Sequence, residues 1–159
     1  MKTRFTAAKA IRWGLMTTLI LSLAACAGAP KKQGLSVSIQ AAEDVNPDQQ
    51  GRPSPIVVYV IELKSAETFK NLDFAGLTNA SGAALGADRL NSTQTVVSPG
   101  GMQRLALEID PSVTVIGVVA GYRDIDNATW RQAVPVVPGK TDNIVVQLGQ
   151  FQMSTSTTN

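Results

Sequence analysis

No histidine occurs among the 159 residues, and the chain has a single cysteine, Cys26. Histidine is the commonest general acid–base group, the middle member of Ser-His-Asp triads and a frequent zinc ligand, so its absence removes most hydrolytic and zinc chemistry. A lone cysteine offers no disulfide partner and no Cys-based metal cluster. Carboxylates remain. Asp44 and Asp48 lie in one turn-rich segment, and Asp124 and Asp126 sit two apart after an apolar run. Pairs of this kind can ligate calcium, but turns also use Asp to bond their own backbone, and the second use is the expected one here. Gly100-Gly101 reads as a tight turn. Asn79-Ala80-Ser81, Asn91-Ser92-Thr93 and Asn127-Ala128-Thr129 fit the glycosylation pattern by chance, in stretches rich in Asn, Ser and Thr. Neither an enzyme, a metal site nor a cofactor is expected.

The cysteine has a different use. Lys2, Arg4, Lys9 and Arg12 precede an apolar stretch from Trp13 to Leu23, and small residues follow. A basic start, a short apolar run and a small-residue end make a secretory signal. The run is shorter than the roughly 20 residues a membrane span requires. Leu23-Ala24-Ala25-Cys26 resembles the lipobox of bacterial lipoproteins. That resemblance implies cleavage after Ala25 and a diacylglycerol, with palmitate-type chains, on Cys26. Two or more acyl chains hold a protein stably, because each buried methylene contributes about 0.8 kcal/mol. Ala27 follows the cysteine in place of the aspartate that commonly retains lipoproteins in the inner membrane. The outer membrane, with the domain facing the periplasm, is therefore expected.

Removing 25 of the 159 residues leaves 134, enough for one domain with one core. The signal carries four of the fourteen basic residues and none of the twelve acidic ones, so the remainder has a net charge of −2. Nothing in that balance points to nucleic acid. The expected organisation is a signal over 1–25, a lipidated tether over 26–34, a β-sandwich over 35–150 and a polar tail over 151–159, frayed from Ser154.

Within the domain, Leu35, Val37 and Ile39 alternate with polar neighbours, which is strand periodicity. The segment from Asp44 to Pro55 holds three prolines and a glycine, which exclude helix and regular strand. Ile56 to Leu63 is a nearly continuous β-branched run, expected as a central strand. One or two short helices are expected between about 65 and 79, the first with Ser65 as cap and Glu67 in its first turn. Residues 79–92 read as a long loop and Thr95 to Val97 as a short strand. Further strands are expected around Leu105 to Ile109, Val113 to Tyr122, Trp130 to Val137 and Asn143 to Leu148. Seven or eight short strands with turns between them indicate a mainly β sandwich. Loops on such a scaffold are its usual binding surfaces. The 44–55 loop is the best candidate, because its prolines lower the ordering cost of binding and its side chains are polar; its residues fit a plain solvated connection equally well. The turn from Arg123 to Arg131 is the next candidate.

Several stretches, taken in order, resemble the TssJ family, outer-membrane lipoproteins of type VI secretion systems. They are Asn46-Pro47-Asp48; Gly51-Arg52-Pro53-Ser54-Pro55 leading into Ile56-Val57-Val58; and Leu63-Lys64 with Phe69, then Asp73-Phe74 through Leu77. Later come Gly117-Val118-Val119-Ala120, Tyr122-Arg123-Asp124-Ile125-Asp126 and Trp130-Arg131. In the second strand the chain departs from the pattern, with Tyr59 and Ile61-Glu62 where an arginine and a Tyr-Gln pair are usual. The resemblance implies a transthyretin-like β-sandwich with a short helical insertion. It also implies a tethering role, with the periplasmic C-terminal domain of TssM as partner and TssL as an indirect one. The loop between the first two strands would make the contact: Asn46, Pro47, Asp48, Gln49, Gln50, Gly51, Arg52, Pro53 and Ser54. The alternative is a periplasmic carbohydrate- or peptidoglycan-binding module. A sugar site needs exposed aromatics, and most of Tyr59, Phe69, Phe74, Tyr122, Trp130 and Phe151 stand at positions that read as core.

Overall fold

Alternation in the first apolar stretch produces a strand, β1 (Gln33–Ala41), whose Leu35, Val37 and Ile39 are buried. The structure, a computed structural model, describes residues 31–79, 82–137, 139–141 and 143–158. Cys26 and the signal lie outside the described residues. The remaining strands are β2 (Ile56–Leu63), β3 (Arg89–Val97), β4 (Met102–Ile109), β5 (Val115–Ala120), β6 (Arg131–Pro135), β7 (Asn143–Leu148) and β8 (Met153–Thr158). Two short helices, α1 (Glu67–Asn71) and α2 (Phe74–Thr78), follow β2.

The strands form two four-stranded sheets, ordered β4-β1-β7-β8 and β3-β2-β5-β6. β1 pairs antiparallel with β4, Leu35 opposite Leu107, and parallel with β7, Val37 opposite Ile144. β2 lies between β3 and β5 in antiparallel register, Val60 opposite Thr93 and Val118. The inward faces meet in one core that includes Val37, Ile39, Val58, Val60, Val118, Ile144 and Val146. Strands buried on one face only would alternate throughout. β5 does not, and all six of its residues are buried. Ile116, Val118 and Ala120 look into the sandwich, while Val115 and Val119 lie in a second apolar cluster with Ile61, Leu63, Phe69 and Leu77. The helical insertion covers the outer face of the second sheet, and this explains the continuous apolar runs of β2 and β5.

Local chemistry explains the insertion. Asp73 caps α2, its carboxylate accepting from the Gly76 N–H at 2.8 Å. The Ser65 hydroxyl accepts from the Glu67 N–H at 3.2 Å, although Ala66 occupies the cap position itself. Arg131 donates to the carbonyls of Phe69 and Leu72 and lies 4.9 Å above the Trp130 ring, so it holds the end of α1 to the sheet. Phe74 meets Trp130 edge-on at 5.6 Å.

Three expectations are corrected. The tail is a strand: β8 pairs with β7 along its whole length, and Met153 is buried. Its Ser and Thr residues are polar because β8 is a sheet edge, and Thr favours strands. The stretch 79–92 is not all loop, since β3 begins at Arg89 after a single 3-10 turn over Gly86–Asp88. Here too an edge position accounts for the polar run from Asn91 to Thr95. The first strand starts before Leu35, because Gln33 and Gly34 already pair with Ile109 and Glu108.

Candidate functional site

The loop between β1 and β2 is built from its neck outward. Val45 is fully buried, and its carbonyl accepts from the Ser54 N–H at 3.1 Å, which closes the neck. Asn46 follows with a φ of 51°, a left-handed conformation that Asn tolerates better than most residues. Its side chain is buried and both ends of the amide are used. Nδ2 donates to the Pro55 carbonyl at 3.0 Å, and Oδ1 accepts from the Arg123 N–H at 2.8 Å. Its own N–H donates to the Gln150 carbonyl at 3.2 Å. One residue thus joins the β1–β2 loop, the turn after β5 and the turn after β7.

Asp48 organises the tip. Oδ1 accepts from the N–H groups of Gln50 and Arg52 at 2.9 and 3.0 Å, and Oδ2 accepts from Arg52 Nε at 2.8 Å. Arg52 Nη2 lies 2.7 Å from the same oxygen and reaches Gln50 Oε1 at 3.3 Å. The Asp48 N–H donates to the Arg52 carbonyl, and the Gly51 N–H returns to Asp48. Gly51 takes a φ of 77°, which the turn requires. Hydrogen bonds from Arg52, through its side chain and its backbone, hold the Asp48 carboxyl below its ordinary pKa of 3.8.

The nine residues singled out in this loop separate into two groups. Gln49, Gln50, Gly51, Arg52 and Pro53 are exposed, and Asp48 is half-buried. Asn46, Pro47 and Ser54 are buried, so they position the loop rather than offer contact surface. An open cleft of about 790 Å³ lies beside the tip. Pro47, Asp48, Gln49, Gln50 and Arg52 form one side; Arg123, Asp124 and Phe151 form the other. The cleft joins the loop to the Arg123 turn, the next candidate, and to Phe151 of the expected polar tail, through an Asn46–Arg123 bond that no local pattern reports. An Asn-Pro step between two strands was the available signal, because Asn is enriched at positive φ.

Two of the carboxylates considered for metal, Asp48 and Asp124, are engaged in local hydrogen bonds. Asp48 is bound within its loop, and both oxygens of Asp124 accept from Asn127 Nδ2 at 3.0 Å. The aromatics are committed largely to packing. Phe69 and Tyr122 are buried, Tyr59, Phe74 and Trp130 pack against the second cluster, and Phe151 borders the cleft. The Tyr122 hydroxyl donates to the Gly149 carbonyl at 3.1 Å, and burial pushes its pKa up to about 12.

The fold and this surface define an eight-stranded β-sandwich with a rigid polar loop beside an open cleft. The chain belongs to the type VI secretion lipoprotein family described as VasD, EvfM, TssJ, whose model matches residues 33–151. It is similar to the lipoprotein TssJ1 from Pseudomonas aeruginosa, at 28% identity and a TM-score of 0.76, covering 80% of this chain and 98% of that one. It is also similar to Lip from Serratia marcescens, a membrane-bound component of the type VI secretion system. The identity there is 25% and the TM-score 0.72, over 77% of this chain and 96% of the other. A structure of the type VI secretion protein TssM C-terminal domain from EAEC holds a chain with the same fold. That match has 22% identity and a TM-score of 0.66, over 79% of this chain and 98% of that one. No curated protein matches at a significant level.

Proposed function

We propose that this type VI secretion lipoprotein anchors the secretion membrane complex to the outer membrane by binding the periplasmic C-terminal domain of TssM, and through it TssL. Lipid on Cys26 holds one end to the inner leaflet, and the β1–β2 loop grips the partner at the other. The domain faces the periplasm and carries out no reaction. The observation that carries this reading is the construction of the loop. Its exposed tip is locked by Asp48 and Arg52, and its base is locked by Asn46, so little order remains to be gained on binding. The occurrence of this fold in a structure of the TssM C-terminal domain supports the choice of partner.

The test is calorimetric titration of the full-length protein in detergent with the periplasmic domain of TssM. Replacing Asp48 to Arg52 by an equal length of Gly and Ser spares Asn46 and the neck, so the melting temperature changes little. Affinity should fall about tenfold or more, roughly 1.4 kcal/mol. Equal affinity in both proteins would move the contact away from the loop. No binding by the wild type would overturn the partner assignment.

A further inference from the structure

We infer that the cleft beside the β1–β2 loop receives a carboxylate-bearing segment of the partner, an Asp or Glu side chain paired with the guanidinium of Arg123; this rests on the TssM reading above. Asp48 spends Oδ1 on two backbone N–H groups and Oδ2 on Arg52. Asp124 spends both oxygens on Asn127, and Gln50 Oε1 accepts from Arg52. Both carboxylates that line the cleft, and Gln50 Oε1, are therefore already engaged within the chain.

Its donors are not. Arg123 is exposed and borders the cleft, and its guanidinium makes no hydrogen bond or ion pair among the described residues. It offers five N–H groups in a planar fork, the geometry that suits a carboxylate two bonds at a time. Arg52 differs, because its Nε and Nη2 are held by the loop.

Position strengthens the case. The Arg123 N–H is fixed to Asn46 Oδ1, and the neighbouring Tyr122 is tied through its hydroxyl to Gly149. The backbone that carries the guanidinium is thus ordered before the partner arrives, which lowers the cost of pairing. Phe151 and Pro47 give the same cleft an apolar border, against which the methylenes of an acidic side chain can lie. Arg123 would act as a specificity-determining contact of the loop site, with Asn46 as its positioning residue.

The experiment uses full-length protein in detergent and the periplasmic domain of TssM, titrated at low and at high salt. Arg123→Glu should weaken binding about tenfold or more and flatten its salt dependence, because a like charge then faces the carboxylate. Arg123→Lys, which keeps the charge and loses the fork, should fall between that variant and the wild type. Unchanged affinity for Arg123→Glu, with affinity lost in the loop-replaced protein, would overturn this inference and leave the TssM reading standing. Weakened binding with an unaltered salt dependence would also overturn it, since the loss would then be steric. No binding by the wild type would overturn both. An acidic-to-Arg change on TssM that restores the Arg123→Glu protein would identify the paired residue.

Discussion

Asn46 and Arg123 lie 77 positions apart and meet through a 2.8 Å hydrogen bond, in which the Arg123 backbone N–H donates to the Asn46 side-chain oxygen. The bond fastens the β1–β2 loop to the turn after β5. It makes the two edges of the cleft one unit, so a change at the loop base alters both. Asn46→Ala should leave the Arg123 N–H and the Pro55 carbonyl without their partners and place a β-carbon residue with no local hydrogen bond at positive φ. The expected cost is roughly 3 kcal/mol. Asn46→Gly loses the same bonds but suits the backbone, and should cost less by about 1 kcal/mol. Chemical denaturation checks the order of the two variants. Amide exchange at Arg123 should rise in both.

Gly117 is buried in the middle of β5, under the helical insertion. A β-carbon there would meet the Phe69 ring at 2.6 Å, closer than van der Waals contact allows. Gly117→Ala should therefore push Phe69 outward and loosen α1, at a cost of about 1–3 kcal/mol. Adding Phe69→Leu removes the clashing edge and should recover part of the loss. Thermal melts of the single and double variants measure the recovery. Additive losses would show that the cost of the added β-carbon does not arise at Phe69.

Tyr122 gives the fold an alkaline limit. Its pKa is raised to about 12 by burial, above the ordinary value of 10. The neutral phenol is therefore favoured in the folded state. That contribution is complete below pH 10 and is lost as the pH rises through 12. Tyr122→Phe should cost about 1 kcal/mol at neutral pH through the lost bond to Gly149, and should lack the extra loss between pH 10 and 12. Denaturant midpoints recorded from pH 7 to the highest pH at which the protein stays soluble check both parts.

Attachment through Cys26 predicts a covalent product. Wild-type protein grown with a clickable fatty acid should become labelled and fractionate with the outer membrane. Cys26→Ser should take no label and persist as an uncut precursor. A mutant that matures and sorts as the wild type does would remove the anchor from the mechanism.

Much of this protein was legible in local patterns, and the part that was not has a common cause. The alternation of Leu35, Val37 and Ile39 and the unbroken run from Ile56 to Leu63 announce strands, because side-chain period and β-branching act within a few residues. The prolines and glycine between Asp44 and Pro55 mark the loop for the same reason. The lone cysteine after Leu23-Ala24-Ala25 points to lipid without any fold at all. Polar edge strands escaped notice. β8 and the first half of β3 carry few apolar side chains, and their order comes from backbone bonds to β7 and β2 that no local periodicity reports. The division of the loop into a buried base and an exposed tip also belonged to the tertiary structure. Asn46, Gln49 and Gln50 are similar amides in sequence, yet only the first has Pro55, Gln150 and Arg123 brought around it. A strand declares itself by what it repeats every two residues, whereas a hydrogen bond across 77 positions exists only once the two sheets have placed its ends together.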